Sequence, residues 1–399
     1  MVGVTGTDGK STTTHLVESV LHADGRAVAA VSTVATSRDG RRVASTSRLT
    51  TPEADDTRRL VGELAAEGCE WLVLETSSHG LALGRVDEVA FDVGVVTNVT
   101  HEHLDFHGSP TAYRRAKALL LDKVASGGGT AVVNVDDRGA ASLLEGRAGL
   151  GVIRCGVEEP ADVSATAIEE AAWSTRFVLR APGLETTVTL PVPGRFNVLN
   201  ALCAAGAGIA AGVGADAVRA GLESFVPLPG RMQPVDAGQP FAVIVDFAHT
   251  PSALTAALHH ARARHTAGRL AVVLGGAGQR DVLKRPWMGH IAATLADLVV
   301  LTVEDPREED PGSPIEQLAA GAVAAGARRG EDLECLVDRR AAIELALAWA
   351  EPGDCVLLAG KGHERSIAWA DHTQPWDEAE VARLVLAELG WPGPGGATP

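Results

Sequence analysis

The stretch Gly3-Val4-Thr5-Gly6-Thr7-Asp8-Gly9-Lys10-Ser11-Thr12 decides how the first part of this chain folds. It joins a β-branched run to a helix-forming segment through a glycine-rich turn that ends in Gly-Lys-Ser. Such a turn points backbone amides at phosphates, the lysine meets the outer phosphates, and the hydroxyl can bind Mg²⁺. The strict phosphate-loop spacing has glycine where Val4 stands, so an ordinary strand-turn-helix junction remains the alternative. The stretch predicts ATP binding through Gly6, Thr7, Asp8, Gly9, Lys10, Ser11 and Thr12.

The composition is that of a globular protein with an acidic balance. The 399 residues carry 35 basic and 51 acidic side chains, a formal net charge of −16. This balance argues against a nucleic-acid or membrane-surface role, so an anionic substrate must be met by local positive charge. No apolar run reaches the ~18 residues of a membrane span, and no charged-then-apolar leader is present. The five widely spaced cysteines suit buried free thiols in a reducing cytosol. We therefore expect a cytoplasmic protein without membrane insertion.

Two blocks of alternating strand and helix patterns divide the chain. Buried β-branched runs that alternate with helical stretches predict an α/β fold with mostly parallel sheets, a phosphate-loop domain followed by a Rossmann-like domain. Within the first block, 163–192 predicts an antiparallel excursion and 197–213 a helix. Pro227–Gly230 predicts a linker, so we expect domains at 1–226 and 227–390 and a disordered tail at 391–399. The predicted strands are Gly3–Thr7, Ala27–Ser32, Trp71–Glu75, Val93–Thr97, Ala131–Asn134, Phe241–Asp246, Leu270–Gly275, Leu298–Thr302 and Cys355–Ala359.

Ionisable side chains follow two of these strands. Glu75 ends one strand, and a carboxylate at the carboxyl end of a strand in an open α/β sheet can hold Mg²⁺. The next strand leads into 101–107, HEHLDFH, which contains three histidines. Three histidines could suggest zinc, but no cysteine or spaced partner completes such a site. The nearby phosphate turn favours Mg²⁺ with one histidine ligand, and a polar surface loop remains the plain alternative.

Nine segments covering nearly the whole chain resemble the Mur ligases in sequence and order, closest to the MurE branch, which adds the third residue of the peptidoglycan stem peptide. The resemblance implies an ATP-dependent amide ligase: ATP phosphorylates a carboxylate, and an amine attacks the acyl phosphate to give an amide, ADP and phosphate. The segments are GTDGKST (6–12), LETSSHGLALGR (74–85), TNVTHEHLDFHG (97–108) with YRRAK (113–117), PGRFNVLNAL (193–202), PGRM (229–232), DFAHTPSAL (246–254), KRPWMG (284–289), EDPR (304–307) and GKGHE (360–364).

The resemblance also implies roles for residues near the phosphate turn. Lys10 would contact the β- and γ-phosphates, and Ser11 or Thr12 with Glu75 would hold one Mg²⁺. His103 would bind a second ion, and Lys117 matches a lysine that carries a carbamate and acts as a metal ligand. Lys117 is one of only five lysines beside thirty arginines, although an unmodified phosphate contact or a surface lysine remains open. The residues implied to meet adenine, phosphates and ribose are Asn197, Asn200, Arg231, Asp246 and His249, with helix capping as the alternative for the two asparagines.

For the two substrates, the resemblance implies separate groups of contacts. Leu83 stands where relatives usually carry Gln, which removes a hydrogen-bonding contact to the acceptor. Asp305 stands where the family has Asn, and its charge beside Arg307 would favour lysine, ornithine or another cationic amine over meso-diaminopimelate. The implied acceptor contacts are Thr50, Thr51, Ser77 and Arg85, and the implied amine contacts are Arg280, Glu304, Asp305, Arg307, Gly360 and Glu364.

The position of the phosphate turn leaves the acceptor open. Mur ligases normally carry an N-terminal domain that holds the UDP-sugar end, and here the turn begins two residues after Met1. Either the acceptor is not a UDP-linked muramoyl peptide, or the start of the sequence is misassigned, or a partner chain binds the UDP-sugar end. Two other functions remain open: the same acyl-phosphate chemistry on a non-UDP acceptor, as in folylpolyglutamate or cyanophycin synthetases, and a non-catalytic ATP-binding subunit.

Overall fold

The computed structural model describes residues 1–45, 49–391 and 393. The chain forms two compact units, Met1–Val226 and Pro227–Pro399. The tail predicted at 391–399 lies outside the described residues except for Trp391 and Gly393. These two are held in place, because the Trp391 ring packs 5.4 Å from the Phe241 ring and the Gly393 amide donates to the Ala237 carbonyl.

The first unit is built on one mixed sheet with a parallel centre. Within the described residues, eleven strands follow the order β11-β10-β9-β8-β7-β6-β1-β5-β2-β3-β4. Pairing is parallel from β9 to β2 and antiparallel at both ends. The strands are β1 Val2–Thr5, β2 Val28–Val31, β3 Ala35–Arg38, β4 Arg41–Ala44, β5 Trp71–Glu75, β6 Val93–Val96, β7 Thr130–Asn134, β8 Gly151–Gly156, β9 Val163–Glu170, β10 Thr175–Ala181 and β11 Leu184–Leu190.

Helices cover this sheet and bury its β-branched centre. Val2, Val4, Val73 and Val95 are fully buried, as a parallel sheet covered on both faces requires. The helices are α1 Lys10–Ala23, α2 Ala54–Ala66, α3 Ser78–Ala82, α4 Leu104–His107, α5 Pro110–Ser126, α6 Arg138–Ala141, α7 Arg195–Ala210 and α8 Ala215–Glu223.

The second unit has its own sheet, in the order β12-β13-β17-β14-β15-β16 among the described residues, and all pairs beyond β12 are parallel. Its strands are β12 Gln233–Pro234, β13 Ala242–Asp246, β14 Leu270–Gly276, β15 Leu298–Val303, β16 Leu333–Cys335 and β17 Cys355–Ala359. Two further strands, β18 Ser366–Ala368 and β19 Thr373–Pro375, form a separate antiparallel pair. The helices are α9 Pro251–Arg264, α10 Lys284–Leu295, α11 Gly312–Ala324, α12 Arg339–Trp349 and α13 Glu378–Glu388.

The α/β fold and all nine predicted strands are confirmed, with ends that differ by a residue or two. The predicted linker at Pro227–Gly230 is partly packed rather than loose. Leu228 is only 2% exposed, and a Cβ at Gly230 would lie 2.1 Å from the Gly362 carbonyl carbon. No described helix is long and apolar enough to cross a membrane.

Candidate functional site

The phosphate turn connects β1 to α1, and close contacts fix its conformation. Gly9 has φ 80°, and a Cβ on it would lie 2.3 Å from the Asn200 Oδ1 atom. The Asn98 Oδ1 atom accepts hydrogen bonds from the Thr7 and Asp8 amides at 3.1 and 2.8 Å. The Lys10 Nζ atom donates to the Thr7 carbonyl at 2.7 Å. The turn is therefore fixed at its backbone, and its lysine lies folded back over the turn.

A hydroxyl and a carboxylate meet beside this turn. The Ser11 Oγ atom donates to the Glu75 Oε2 atom at 2.9 Å, and Glu75 is 2% exposed at the carboxyl end of β5. The Thr33 amide donates to the same oxygen at 3.0 Å. Hydroxyl and carboxylate oxygens are the ligands that Mg²⁺ prefers, usually together with water and substrate phosphates. The residues present therefore fit a Mg²⁺ ion beside a bound nucleotide; Thr12, also buried, lies next to Ser11 in α1.

Lys117 is buried in α5 against the back of the turn. Its Nζ atom donates to the Gly6 carbonyl at 2.5 Å and lies 4.6 Å from the centre of the Tyr113 ring. Burial, with the nearby Lys10 charge as the second cause, lowers the pKa of Lys117 well below its usual value. The Tyr113 hydroxyl bonds to the Thr7 Oγ1 atom at 2.9 Å. The structure thus brings Lys117 to the same turn as Lys10 and Ser11.

Histidine rings cluster near α4. His103 has φ 55° and lies with its ring centre 4.7 Å from that of His79, which in turn is 5.5 Å from His107. The His107 Nε2 atom is 3.0 Å from the Ser78 Oγ atom. Among the described residues, no group of three or more His, Cys, Asp or Glu side chains has a geometry that could hold a metal ion by itself. The zinc alternative therefore gains no support from this cluster.

The implied acceptor contacts lie together at the start of α3. The Thr51 hydroxyl is 3.1 Å from both the Glu75 carbonyl and the Ser77 Oγ atom, and Thr51 is fully buried. The Thr33 Oγ1 atom donates to the Thr50 Oγ1 atom at 3.0 Å. The Arg85 guanidinium donates to the Thr51 carbonyl and to the Glu53 carboxylate. Thr51 therefore supports its neighbours, while Leu83, the departure noted in the sequence, is 54% exposed.

The two asparagines of α7 lie against the phosphate turn. The Asn200 amide donates to the Asn197 Oδ1 atom at 3.1 Å, and the Asn197 amide donates to the Pro193 carbonyl at 2.7 Å. The Thr13 hydroxyl donates to the Asn200 Oδ1 atom at 3.3 Å. Asn200 thus ties α7 to α1, while Asn197 holds Asn200 and the segment that precedes α7.

In the second unit, one group of residues surrounds the end of β13. The Asp246 carboxylate accepts from the Met232 and Ala248 amides at 2.7 and 2.8 Å. The Arg231 guanidinium lies 4.6 Å from the centre of the Phe247 ring, and the His249 Nδ1 atom is 2.8 Å from the Phe247 carbonyl oxygen. Asp246 therefore fixes the loops that carry Arg231 and His249.

A second group in this unit gathers buried charge after β15 and β17. The Lys361 Nζ atom lies 3.0 Å from the Asp305 Oδ1 atom and 2.5 Å from the Glu364 Oε2 atom, whereas Arg307 is 3.9 Å from Asp305. Lys361, rather than Arg307, is thus the main partner of Asp305. Burial and then repulsion from Glu364 raise the pKa of Glu304 to about 7.

The remaining implied amine contacts complete this group. Gly360 has φ 100°, and a Cβ there would lie 3.2 Å from the Glu304 Oε2 atom. Burial and then the Arg280 charge lower the pKa of Arg307. The group therefore presents carboxylates and guanidinium groups together at the end of one sheet.

Four residues of these groups were not predicted: Thr33, Asn98, Tyr113 and Lys361. Thr33 and Asn98 lie just past the ends of parallel strands, which is the one signal that could have found them. Tyr113 is the only tyrosine, and Lys361 is one of the five lysines.

Comparison with known proteins gives consistent matches over both units. Residues 4–208 match the Mur ligase middle domain, and residues 230–362 match the Mur ligase glutamate ligase domain. A UDP-N-acetylmuramyl-tripeptide synthetase of Roseiflexus sp. is 42% identical over 98% of this chain and 79% of its own length. A UDP-N-acetylmuramoyl-L-alanyl-D-glutamate–2,6-diaminopimelate ligase of Bacillus velezensis is 37% identical over 98% of this chain and 78% of its own length.

Solved structures agree with these matches. The structure of a UDP-N-acetylmuramoyl-L-alanyl-D-glutamate–2,6-diaminopimelate ligase superposes with a TM-score of 0.65 at 29% identity, over 97% of this chain and 78% of the other. A Mycobacterium tuberculosis folylpolyglutamate synthase shares the fold, with a TM-score of 0.70 at 19% identity over 90% of this chain and 88% of the other.

Proposed function

Because the chain belongs to the Mur ligase family of ATP-dependent, amide-forming ligases, we propose that it joins a diamino acid to the carboxylate of a UDP-N-acetylmuramoyl peptide. The observation that carries the choice of amine is the buried group after β15 and β17. A diamino acid brings two ammonium groups and at least one carboxylate. The Glu304 and Glu364 carboxylates can meet an ammonium group, and the Arg307 guanidinium can bind a carboxylate in bidentate fashion.

The Asp305 substitution bears on which diamino acid is used. Since Lys361 lies 3.0 Å from Asp305 and Arg307 lies 3.9 Å from it, Asp305 does not occupy the Arg307 guanidinium, and Arg307 keeps its capacity for a carboxylate. This favours an amine with a distal carboxylate, such as diaminopimelate, over lysine or ornithine.

For the chemical steps, we propose roles for the residues at the phosphate turn. An oxygen of the acceptor carboxylate attacks the γ-phosphorus of ATP, so the acyl phosphate forms as the bond to ADP breaks. The amine nitrogen then attacks the acyl carbon, loses a proton and expels phosphate. Lys10 stabilises the charge that spreads over the transferred phosphoryl group, and Ser11 and Glu75 hold a Mg²⁺ ion, which supplies further charge stabilisation when bound. His103 would hold a second ion.

Lys117 is proposed to carry a carbamate. Its lowered pKa raises the fraction of neutral amine, whose nitrogen can attack CO₂, form an N–C bond and release a proton. The product is an anion in place of a buried cation, and it could bind metal. A ¹³C NMR carbamate signal after incubation with ¹³C-bicarbonate, absent in Lys117→Met, would support this role; identical spectra would refute it.

The proposed function is tested by phosphate release from Mg-ATP. UDP-N-acetylmuramoyl-L-alanyl-D-glutamate is supplied as acceptor, with diaminopimelate, lysine or ornithine added singly. Release that requires both the acceptor and diaminopimelate is expected. Phosphate release with a folate or another non-UDP acceptor, but not with the muramoyl peptide, would refute the proposed acceptor. Release with the muramoyl peptide and lysine, but not with diaminopimelate, would refute the proposed amine.

A further inference from the structure

Thr33 lies two residues after the end of β2 and contacts residues of two predicted sites. Its amide donates to the Glu75 Oε2 atom at 3.0 Å. Its hydroxyl oxygen lies 3.4 Å from the Glu75 Oε1 atom and 3.0 Å from the Thr50 Oγ1 atom. Thr33 is thus the residue between Glu75, proposed to hold Mg²⁺, and Thr50, implied to contact the acceptor.

The turn that carries Thr33 is held firmly from behind. The Ser32 hydroxyl accepts from the Val34 and Ala35 amides at 3.2 and 3.1 Å and lies 2.9 Å from the His15 Nε2 atom. His15 is fully buried in α1, and its Nδ1 atom is 2.8 Å from a Glu18 carboxylate oxygen. Because Ser32 is tied to the helix that follows the phosphate turn, Thr33 has little freedom to move away from Glu75.

The Thr33 hydroxyl has one hydrogen and two neighbouring acceptors. It can donate to Thr50 or to Glu75, but not to both at full strength. A hydrogen bond to Glu75 occupies a lone pair that a metal would otherwise use. Donation to Thr50 leaves the Glu75 Oε1 atom available.

We propose that Thr33 is a positioning residue whose hydroxyl couples acceptor binding at Thr50 to metal binding at Glu75. The inference rests on the proposed function for the identity of the two sites. The Thr33 hydroxyl is shared between Thr50 at 3.0 Å and Glu75 at 3.4 Å. An anionic acceptor draws the Thr50 hydrogen toward itself, which strengthens the hydrogen bond that Thr50 accepts from Thr33 and turns the Thr33 hydrogen fully away from Glu75. The acceptor therefore strengthens metal binding, and metal strengthens acceptor binding by the same factor.

Mn²⁺ provides a readout that does not depend on turnover. Its dissociation constant is measured by electron paramagnetic resonance in the presence of ADP, with and without UDP-N-acetylmuramoyl-L-alanyl-D-glutamate. In the native protein the acceptor should tighten Mn²⁺ binding about fivefold or more, the lower end of usual coupling. Thr33→Val keeps the amide and the shape but removes the hydroxyl, so Mn²⁺ should bind it more tightly than the native protein without acceptor, and the acceptor should change nothing further.

Two controls isolate the hydroxyl. Thr33→Ser keeps it and should retain the native coupling. Thr36→Val is the same substitution at an exposed position of β3 and should leave Mn²⁺ binding unchanged. Acceptor-dependent tightening that persists in Thr33→Val, or that disappears in Thr33→Ser at unchanged melting temperature, overturns the proposal.

The measurement of Mn²⁺ binding without acceptor distinguishes a failure of this proposal from a failure of the proposed function. If the muramoyl peptide is not a substrate, the native protein releases no phosphate with it. Tighter Mn²⁺ binding by Thr33→Val than by the native protein still supports the role of Thr33, whereas equal or weaker binding overturns it.

Discussion

Lys117 places a potential cation in a site with little solvation. It is 1% exposed, and its Nζ atom donates to the carbonyl of Gly6. Between its lowered folded-state pKa and its unfolded value, the unfolded chain holds the extra proton, so the free energy of unfolding rises with pH across that window. The lysine therefore costs stability at neutral pH.

We expect Lys117→Met to abolish ligase activity while raising the melting temperature in CO₂-free buffer at pH 7, by roughly 2–4 °C for each kcal/mol recovered. The gain should shrink as the pH is raised toward 10. The control is Lys123→Met on the same helix, which removes a partly exposed ion pair with Asp87. It should keep the ligase activity and should not raise the melting temperature. Calorimetry with Lys117→Met less stable than native at pH 7 would contradict the prediction.

Glu304 should give the amine step a pH dependence. Its pKa of about 7 means that it loses its charge below that pH. We expect the KM for the amine to rise as the pH falls through about 7, and Glu304→Gln to remove this dependence and raise the KM about tenfold at pH 8, the order of one charged hydrogen bond.

The stability of the folded protein should fall as Glu304 becomes charged, whereas binding of the amine should improve. Since the folded-state pKa lies above the unfolded value, the stabilising contribution of the neutral form is complete below the unfolded pKa and is lost as the pH rises through about 7. Glu304→Gln should therefore melt higher than the native protein at pH 8. A variant that melts lower, with an unchanged amine KM, would show that Glu304 is only structural.

Among single site residues, the sequence predicts those that belong to recognisable segments. Lys10, Ser11 and Glu75 could be placed together because a glycine-rich turn and a strand end have fixed geometry. Thr33 and Lys361 could not, since their partners are set by pairing between distant segments. The expected effect of Asp305 on Arg307 also depended on Lys361, whose position only the folded structure gives.

Strand ends in the second unit are tied together by one buried ion pair. The Arg339 guanidinium of α12 donates to the Val303 and Ala359 carbonyls at 2.9 Å each, the last residues of β15 and β17. It also pairs with Glu378 of α13, and both side chains are fully buried. The two loops that carry Glu304 and Lys361 begin at these carbonyls.

We expect Arg339→Met to cost about 3–5 kcal/mol, because it leaves the Glu378 charge unpaired. The double variant Arg339→Met/Glu378→Leu should recover most of the melting temperature, since an apolar pair of similar volume often replaces a buried ion pair without loss. The KM of the double variant for the amine should nevertheless be higher than that of the native protein, while its KM for ATP should equal the native value. Recovery of both stability and amine KM in the double variant would show that the ion pair has no positioning role.

The elements that could not be predicted are those without an apolar pattern. The hairpin of β3 and β4 is rich in Arg, Ser and Thr, and three of its last four residues are exposed. β3 pairs with β2 and buries only the small side chains of Ala35 and Ser37, and β4 pairs with β3, so neither strand has a run of large apolar residues that would predict it. β8 follows a glycine-rich loop and is exposed or half-buried over its first four residues, so no buried run predicts it. The apolar runs of β1, β5, β6, β14 and β17, in contrast, predict strands without ambiguity.

For the molecule as a whole, the two compact units should be visible in thermal unfolding. We expect calorimetry to show two transitions, of which Mg-ADP shifts at least the one of Met1–Val226, which carries the phosphate turn. At a ligand concentration of 100 Kd the stabilisation is about 2.7 kcal/mol. Lys10→Ala should fold normally but lose the shift. An unchanged shift in this variant would place nucleotide binding elsewhere.

The position of β1 in its sheet has a consequence for synthesis on the ribosome. β1 is formed from Val2–Thr5, yet it pairs with β5 at Trp71–Glu75 and with β6 at Val93–Val96. At about 5–20 residues per second, the ribosome needs several seconds to supply both neighbours. During that time a strand that is fully buried in the folded protein is without its partners. The phosphate turn that follows it is therefore fixed only after β6 has been made, and the emerging chain is a natural client for a chaperone at the exit tunnel.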